Sequence, residues 1–256
     1  MREEKRPNVK KLRKRIERLQ QKYKRRPSPT GIEVDFETYF GEGFEDWNIE
    51  GWTEDLTADG YPKITSLAKR TGATGLRMIF KDTYENWGIV YKYVSGYPLS
   101  FTMVIYLRVT EMTYVSSLWA NQIMNLYDVN WNYIFRLQFG GPPESVNLPT
   151  EFWVLTDCEN VNEGNKIVLG EFTIGSWDKI QLDFKVHETS GVWRVSFNDQ
   201  IIFEYKGDTV ASWWGESYPM TYLDEFWLGY YTPAWNPEYE DFILDFDDYL
   251  ISGYQG

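Results

Sequence analysis

Residues 177 to 207, WDKIQLDFKVHETSGVWRVSFNDQIIFEYKG, admit few folds. Ile180, Leu182, Phe184 and Val186 alternate with Lys179, Gln181, Asp183 and Lys185. A period of two gives a strand with one buried and one wet face. Glu188-Thr-Ser-Gly191 interrupts the run with turn residues. Trp193, Val195 and Phe197 then alternate with Arg194 and Ser196. Asn198-Asp199 turns the chain again, because both residues tolerate the left-handed backbone that a tight hairpin needs. Ile201, Phe203 and Tyr205 follow, and Gly207 closes the third strand. The spacing predicts a three-stranded antiparallel meander.

The rest of the chain from residue 32 reads the same way. Ile32 to Phe40 sets Ile32, Val34, Phe36 and Thr38 against Glu33, Asp35 and Glu37. Leu99 to Val109 places Phe101, Met103, Ile105, Leu107 and Val109 on one face. Trp131, Tyr133, Phe135, Leu137 and Phe139 alternate in the same manner. Further strands are predicted at 152–156, 167–174, 224–231 and 242–252, with loops at 41–52, 210–221 and 232–237. Helical periodicity does not recur after residue 30. Roughly twelve to fourteen short strands separated by turn signals predict a sandwich.

Several of these pieces carry a family resemblance. Gly175-Ser-Trp177, Phe197-Asn-Asp199 and Tyr205-Lys-Gly207 resemble the late core of concanavalin A-like, laminin G-like jelly rolls. Val34-Asp-Phe-Glu37 with Phe44-Glu-Asp-Trp47 resembles the opening strand and first loop of that superfamily. Leu244 to Ser252 resembles its closing strand. The fold implied is an all-β, two-sheet antiparallel jelly-roll sandwich over residues 31–256, preceded at 1–30 by a basic amphipathic α-helix and linker.

Residues 1–30 differ in kind. They carry a net charge of +10 in a chain of net −12, which leaves about −22 for the remainder. Val9, Leu12, Ile16, Leu19 and Tyr23 are spaced 3, 4, 3, 4, an apolar seam flanked by Arg13, Arg15 and Lys22. Three readings compete: a short homomeric coiled coil, a nucleic-acid arm, and docking on an acidic surface of this subunit or the next. Basic flanks would repel in a parallel coil, so docking or self-association is the stronger expectation.

The acidic surface has a candidate. The resemblance implies that the first and last strands pair, which brings Glu33, Asp35 and Glu37 toward Asp245 and Asp247. Like charges opposite one another are destabilising. A bound Ca²⁺, with Glu37 and Asp248 as ligands by analogy with lectin-like domains, would offset them. So would the basic helix, and a merely solvated acidic face is the third reading.

Other function classes are narrowed by what is scarce. Cys158 is the only cysteine, so no internal disulfide forms, and His187 is the only histidine. No Cys/His metal cluster is available to such a chain. No run of eighteen apolar residues occurs, so no membrane span is expected. The basic N-terminus lacks the apolar core of a signal peptide.

Aromatic residues make up 18% of the chain, with 12 Trp. Loop tryptophans are the ones to weigh for binding, since loops lie at the surface. Trp213, Trp214 and Tyr218 share one loop; Trp235 and Asn236 share the next long one. Sugars stack their C–H faces on such rings.

Catalysis finds little support at this level. The Glu-x-Asp-x-x-Glu strand of retaining glycosidases is absent, and the single His sits in a turn. The expectation is a non-catalytic structural protein that assembles into a virus particle or surface structure, with carbohydrate binding as the alternative.

Overall fold

The computed structural model describes residues 38–42, 53–56, 60–83, 87–94, 98–115, 122–140, 150–231 and 240–253. Both the basic segment and the Glu33–Glu37 ladder lie outside them. In chain order the strands are β1 (Thr38–Glu42), β2 (Thr53–Leu56), β3 (Gly60–Thr65), β4 (Gly75–Thr83) and β5 (Trp87–Tyr93). Next come β6 (Ser100–Val115), β7 (Gln122–Asp128), β8 (Tyr133–Gly140), β9 (Glu151–Leu155) and β10 (Ile167–Glu171). The chain closes with β11 (Asp178–Lys185), β12 (Gly191–Phe197), β13 (Gln200–Gly207), β14 (Leu223–Tyr231) and β15 (Glu240–Gly253).

Two antiparallel sheets result. The first runs β13-β12-β11-β6-β15-β4-β3, with β1 also paired to β15. The second runs β10-β9-β8-β7-β14-β5-β2. The expected meander is β11, β12 and β13, and its hairpin turns on Asn198 and Asp199 at φ 49° and 66°. The first and last strands do pair, Thr38 opposite Ser252 and Phe40 opposite Ile251.

The core lies between the sheets. Phe101, Met103, Ile105 and Leu107 of β6 and Leu182 and Phe184 of β11 face Leu126, Phe135, Leu137 and Phe226 of the second sheet, all fully buried. One hydrogen bond ties the layers together. The register of β7 on β8 shifts between Leu126 and Tyr127, which makes Ile134 an extra residue on β8. The Ile134 carbonyl accepts from Trp193 Nε1 at 2.9 Å. Trp193 belongs to β12, so a polar tip buried at the centre is satisfied across the sandwich.

That shift also corrects the expected strand. Trp131 does not begin β8. It sits in the preceding turn at φ 64°, and Tyr133 turns to the outer face while Phe135, Leu137 and Phe139 stay inside. Strand β7 was not anticipated: all seven of its residues are buried, so it shows no alternation of apolar and exposed positions.

Candidate functional site

Register across the second sheet sets three rows of side chains on its outer face. Leu155, Arg136, Asn125, Trp227 and Tyr91 follow one another over β9, β8, β7, β14 and β5. Beside them run Trp153, Gln138 and Gln122. On the other flank run Tyr133, Tyr127, Glu225 and Tyr93. Four inter-strand steps of about 4.8 Å make the middle row about 19 Å long.

The rings form a continuous surface. Tyr127 lies 4.7 Å from Trp227, 4.6 Å from Tyr133 and 5.4 Å from Trp131, centroid to centroid. Tyr91 extends it, 5.9 Å from both Trp227 and Tyr93. Trp153 stands apart from these rings at the far edge of the face, in the row of Gln138 and Gln122, with Lys166 Nζ 4.3 Å from its ring centroid.

Polar groups are set among the rings. Indole N–H groups of Trp153 and Trp227 donate to Glu151 and Glu225, each at 2.8 Å. Gln122 Oε1 accepts from Asn125 Nδ2 at 2.8 Å and from the Tyr133 hydroxyl at 3.3 Å. Burial pushes the Glu225 carboxyl above its ordinary range, offset in part by the Trp227 N–H and Tyr93. The Arg136 guanidinium stacks 3.3 Å over the Tyr133 ring.

Three polar atoms on this face are buried and have no hydrogen-bond partner among the described residues. They are Arg136 Nε, Gln138 Nε2 and Asn125 Oδ1. Such groups are costly to bury and are ordinarily satisfied.

The loop tryptophans meet one end of this face. A cleft of about 290 Å³ is lined by Tyr133, Arg136, Leu155, Thr156, Asp157, Glu163 and Trp213. Asp157 anchors it. Its carbonyl accepts from the Trp213 N–H at 3.0 Å, and its Oδ2 accepts from the Tyr133 N–H at 2.9 Å and Trp214 Nε1 at 3.2 Å. Asp128 holds the same loop from beneath, accepting from Thr221 and from Asn130 and Asn132.

The expected site residues are thus spread unevenly. Trp213 and Trp214 are 50% and 65% exposed. Tyr218 is half-buried, and its carbonyl accepts from the Ser212 hydroxyl and the Asn132 amide. Trp235, Asn236, Glu33, Asp35, Glu37 and the seam Val9, Leu12, Ile16, Leu19 and Tyr23 with Arg13, Arg15 and Lys22 lie outside the described residues.

Asp245 and Asp247, expected on an acidic docking face, are fully buried. Asp245 is clamped by Arg77 and Arg108, and Asp247 accepts from the Arg70 and Thr71 N–H groups. Asp248, one half of the Ca²⁺ pair, takes Arg70 and the Thr71 hydroxyl on its carboxylate. Among the described residues no three His, Cys, Asp or Glu side chains are grouped to hold a metal ion. No described helix is long and apolar enough to cross a membrane.

Reading by sequence alone missed the strand-borne residues Arg136, Gln138, Asn125, Trp153, Tyr127 and Trp227. The available signal was polar: amides inside otherwise apolar strands, with no role in a core.

No family model matches the sequence. No curated protein matches it either. Solved structures do. The cellulose-induced protein Cip1 superposes with a TM-score of 0.57 at 11% identity, over 85% of this chain and 98% of that one. The endo-β-1,4-glucuronan lyase of the fungus Trichoderma reesei gives 0.53 at 11% identity, over 85% and 96%. The marine alginate lyase of Aplysia kurodai gives 0.55 at 9% identity, over 85% and 99%. The likeness is one of fold.

It nevertheless corrects two expectations. A virion structural role has no counterpart among these three, which are carbohydrate-related by name. The exclusion of catalysis also falls, because two of the three are enzymes built on the same sandwich.

Proposed function

We propose that this chain is a concanavalin A-like carbohydrate-active protein that binds a polysaccharide across the outer face of its second sheet. The observation that carries the reading is the ring surface from Tyr133 to Tyr93, with Trp153 at the far edge and Arg136, Gln138, Asn125 and Gln122 set between. Aromatic faces stack on sugar C–H faces, and the amides and guanidinium fix hydroxyl groups. A length of about 19 Å suits several consecutive sugar rings. The fold shared with polysaccharide-related proteins supports the same reading, and so does a cleft that Trp213 and Arg136 share.

A second reading, cleavage of the bound chain, is favoured by one specific contact. Tyr133, a proton-transfer group, lies directly under the Arg136 guanidinium at the cleft. Tyr133 would move the proton and Arg136 would stabilise developing negative charge.

The test is affinity electrophoresis against a panel of soluble neutral and acidic polysaccharides, with product chromatography on the same incubations. Trp213→Ala and Tyr93→Ala remove exposed rings and should each weaken binding up to about tenfold, in protein shown by circular dichroism to be folded. Retention of full affinity in the double variant would sink the assignment of this face. New shorter chains, lost in Tyr133→Phe, would establish cleavage.

A further inference from the structure

The described arginines are matched with carboxylates, with one exception. Arg70 pairs with Asp248, Arg77 and Arg108 with Asp245, and Arg194 with Asp183. Arg136 makes no ion pair among the described residues, although it is half-buried in the centre of the polysaccharide face. Stacking on Tyr133 leaves its Nε buried and without an acceptor.

Its neighbour in the next row has the same deficit. Gln138 lies two residues along β8, on the same side of the strand, and is 2% exposed. Its Nε2 is also a buried donor without a partner. Across the ladder from Arg136, Asn125 is 2% exposed and offers an unused acceptor, Oδ1.

The nearby carboxylates do not supply what is missing. Asp157 Oδ2 is taken by the Tyr133 N–H and Trp214 Nε1, and Glu163 stands exposed at the cleft. Two adjacent donors, one of them cationic and both short of an acceptor, ask for an anionic oxygen pair. An acceptor beside them suits a hydroxyl on the same ligand.

We infer that Arg136 and Gln138 form a subsite for the carboxylate of an acidic sugar, with Asn125 accepting from a neighbouring hydroxyl, so that the protein's ligand is a uronate-containing polysaccharide. This rests on the polysaccharide reading above and narrows it to one substrate class. The guanidinium supplies charge, the amide fixes orientation, and the Tyr133 and Trp153 rings flank the carboxyl-bearing residue. The site lies in a protein of net charge −12, so the cation is local and binding falls as salt screens it.

The experiment uses the full chain and paired ligands. Polyglucuronate, polygalacturonate and alginate are each compared with the same polymer after carboxyl reduction, which keeps the linkage and removes the charge. At least one acidic polymer is expected to bind about tenfold or more tightly than its reduced partner, the margin of a charge-assisted hydrogen-bond pair. Arg136→Met and Gln138→Glu should each weaken the acidic polymer more than its reduced partner, so that the two come to bind alike. Arg136→Lys, which keeps charge and stem, should retain part of the preference, and it serves if Arg136→Met unfolds.

Equal binding of every pair by the unaltered protein overturns the carboxylate subsite and leaves the polysaccharide reading intact. So does a preference that survives both substitutions in folded protein. Binding of no polymer, acidic or neutral, overturns both.

Discussion

Burial and hydrogen bonding pull Asp128 in opposite directions. Its Oδ1 accepts from the Asn130 and Asn132 N–H groups, and its Oδ2 from Asn132 Nδ2, the Thr221 N–H and the Thr221 hydroxyl. Those donors favour the carboxylate, yet burial wins and pushes the group up to about 7. A carboxyl whose folded value is raised holds its proton more tightly when folded than when unfolded. Its contribution to stability is therefore complete below the ordinary carboxylate range of about 4 and is lost as pH rises through about 7.

Burial raises Asp178, Glu225 and Asp247 in the same sense. Urea unfolding should therefore show these groups stabilising the protein at pH 5 relative to pH 8. Asp128→Asn should shrink that difference. It should also lower stability at pH 5, by about 1–3 kcal/mol for each buried donor left without an acceptor. An unchanged pH profile in the variant would mean that another group carries the effect.

Strands β8 and β9 show how an element shapes the face it carries. A Cβ on Gly140 would come within 2.2 Å of Trp153 Cε2 and Nε1, so the glycine is what lets that indole lie flat across the neighbouring strand. Gly140→Ala should tip the ring away from Glu151 and weaken polysaccharide binding, with a smaller effect on the unfolding midpoint. Thermal unfolding beside a binding titration separates the two. Equal affinity in the variant would show that Trp153 is not part of the platform.

The same elements show what could be read from the amino acids. β11, β12, β13 and the core face of β6 were legible because each has one wet side. The Asn198-Asp199 turn was legible because few residue pairs take that backbone. β7 and the polar positions of β8 were not, because amides on a buried outer face break the period that marks a strand. Nor could any local pattern reveal that β14 lies between β5 and β7, far from both in the chain. That adjacency assembles Tyr91, Trp227 and Asn125 into one row.

At the scale of the whole molecule, one thiol reports on the entire sandwich. Cys158 is fully buried between β9 and the Trp213 loop, and burial pushes it up to about 12. Thiolate is the reactive form, so the native protein should resist thiol reagents near neutral pH and react at the rate of opening. Labelling under mild denaturant is expected to follow the same midpoint as tryptophan fluorescence. Earlier labelling would show the loop detaching from the sheets before they separate.

The position of β15 has a consequence for how such a molecule is made. It lies between β6 and β4 in the first sheet and follows every other described strand. Before it emerges from the ribosome, the facing edges of β6 and β4 have no neighbour, and an open edge is a template for the wrong partner. A nascent chain stalled short of residue 240 would therefore hold the second sheet's strands complete while the first stays in three pieces, β13-β12-β11-β6, β4-β3 and β1. The first sheet closes only once β15 has been synthesised.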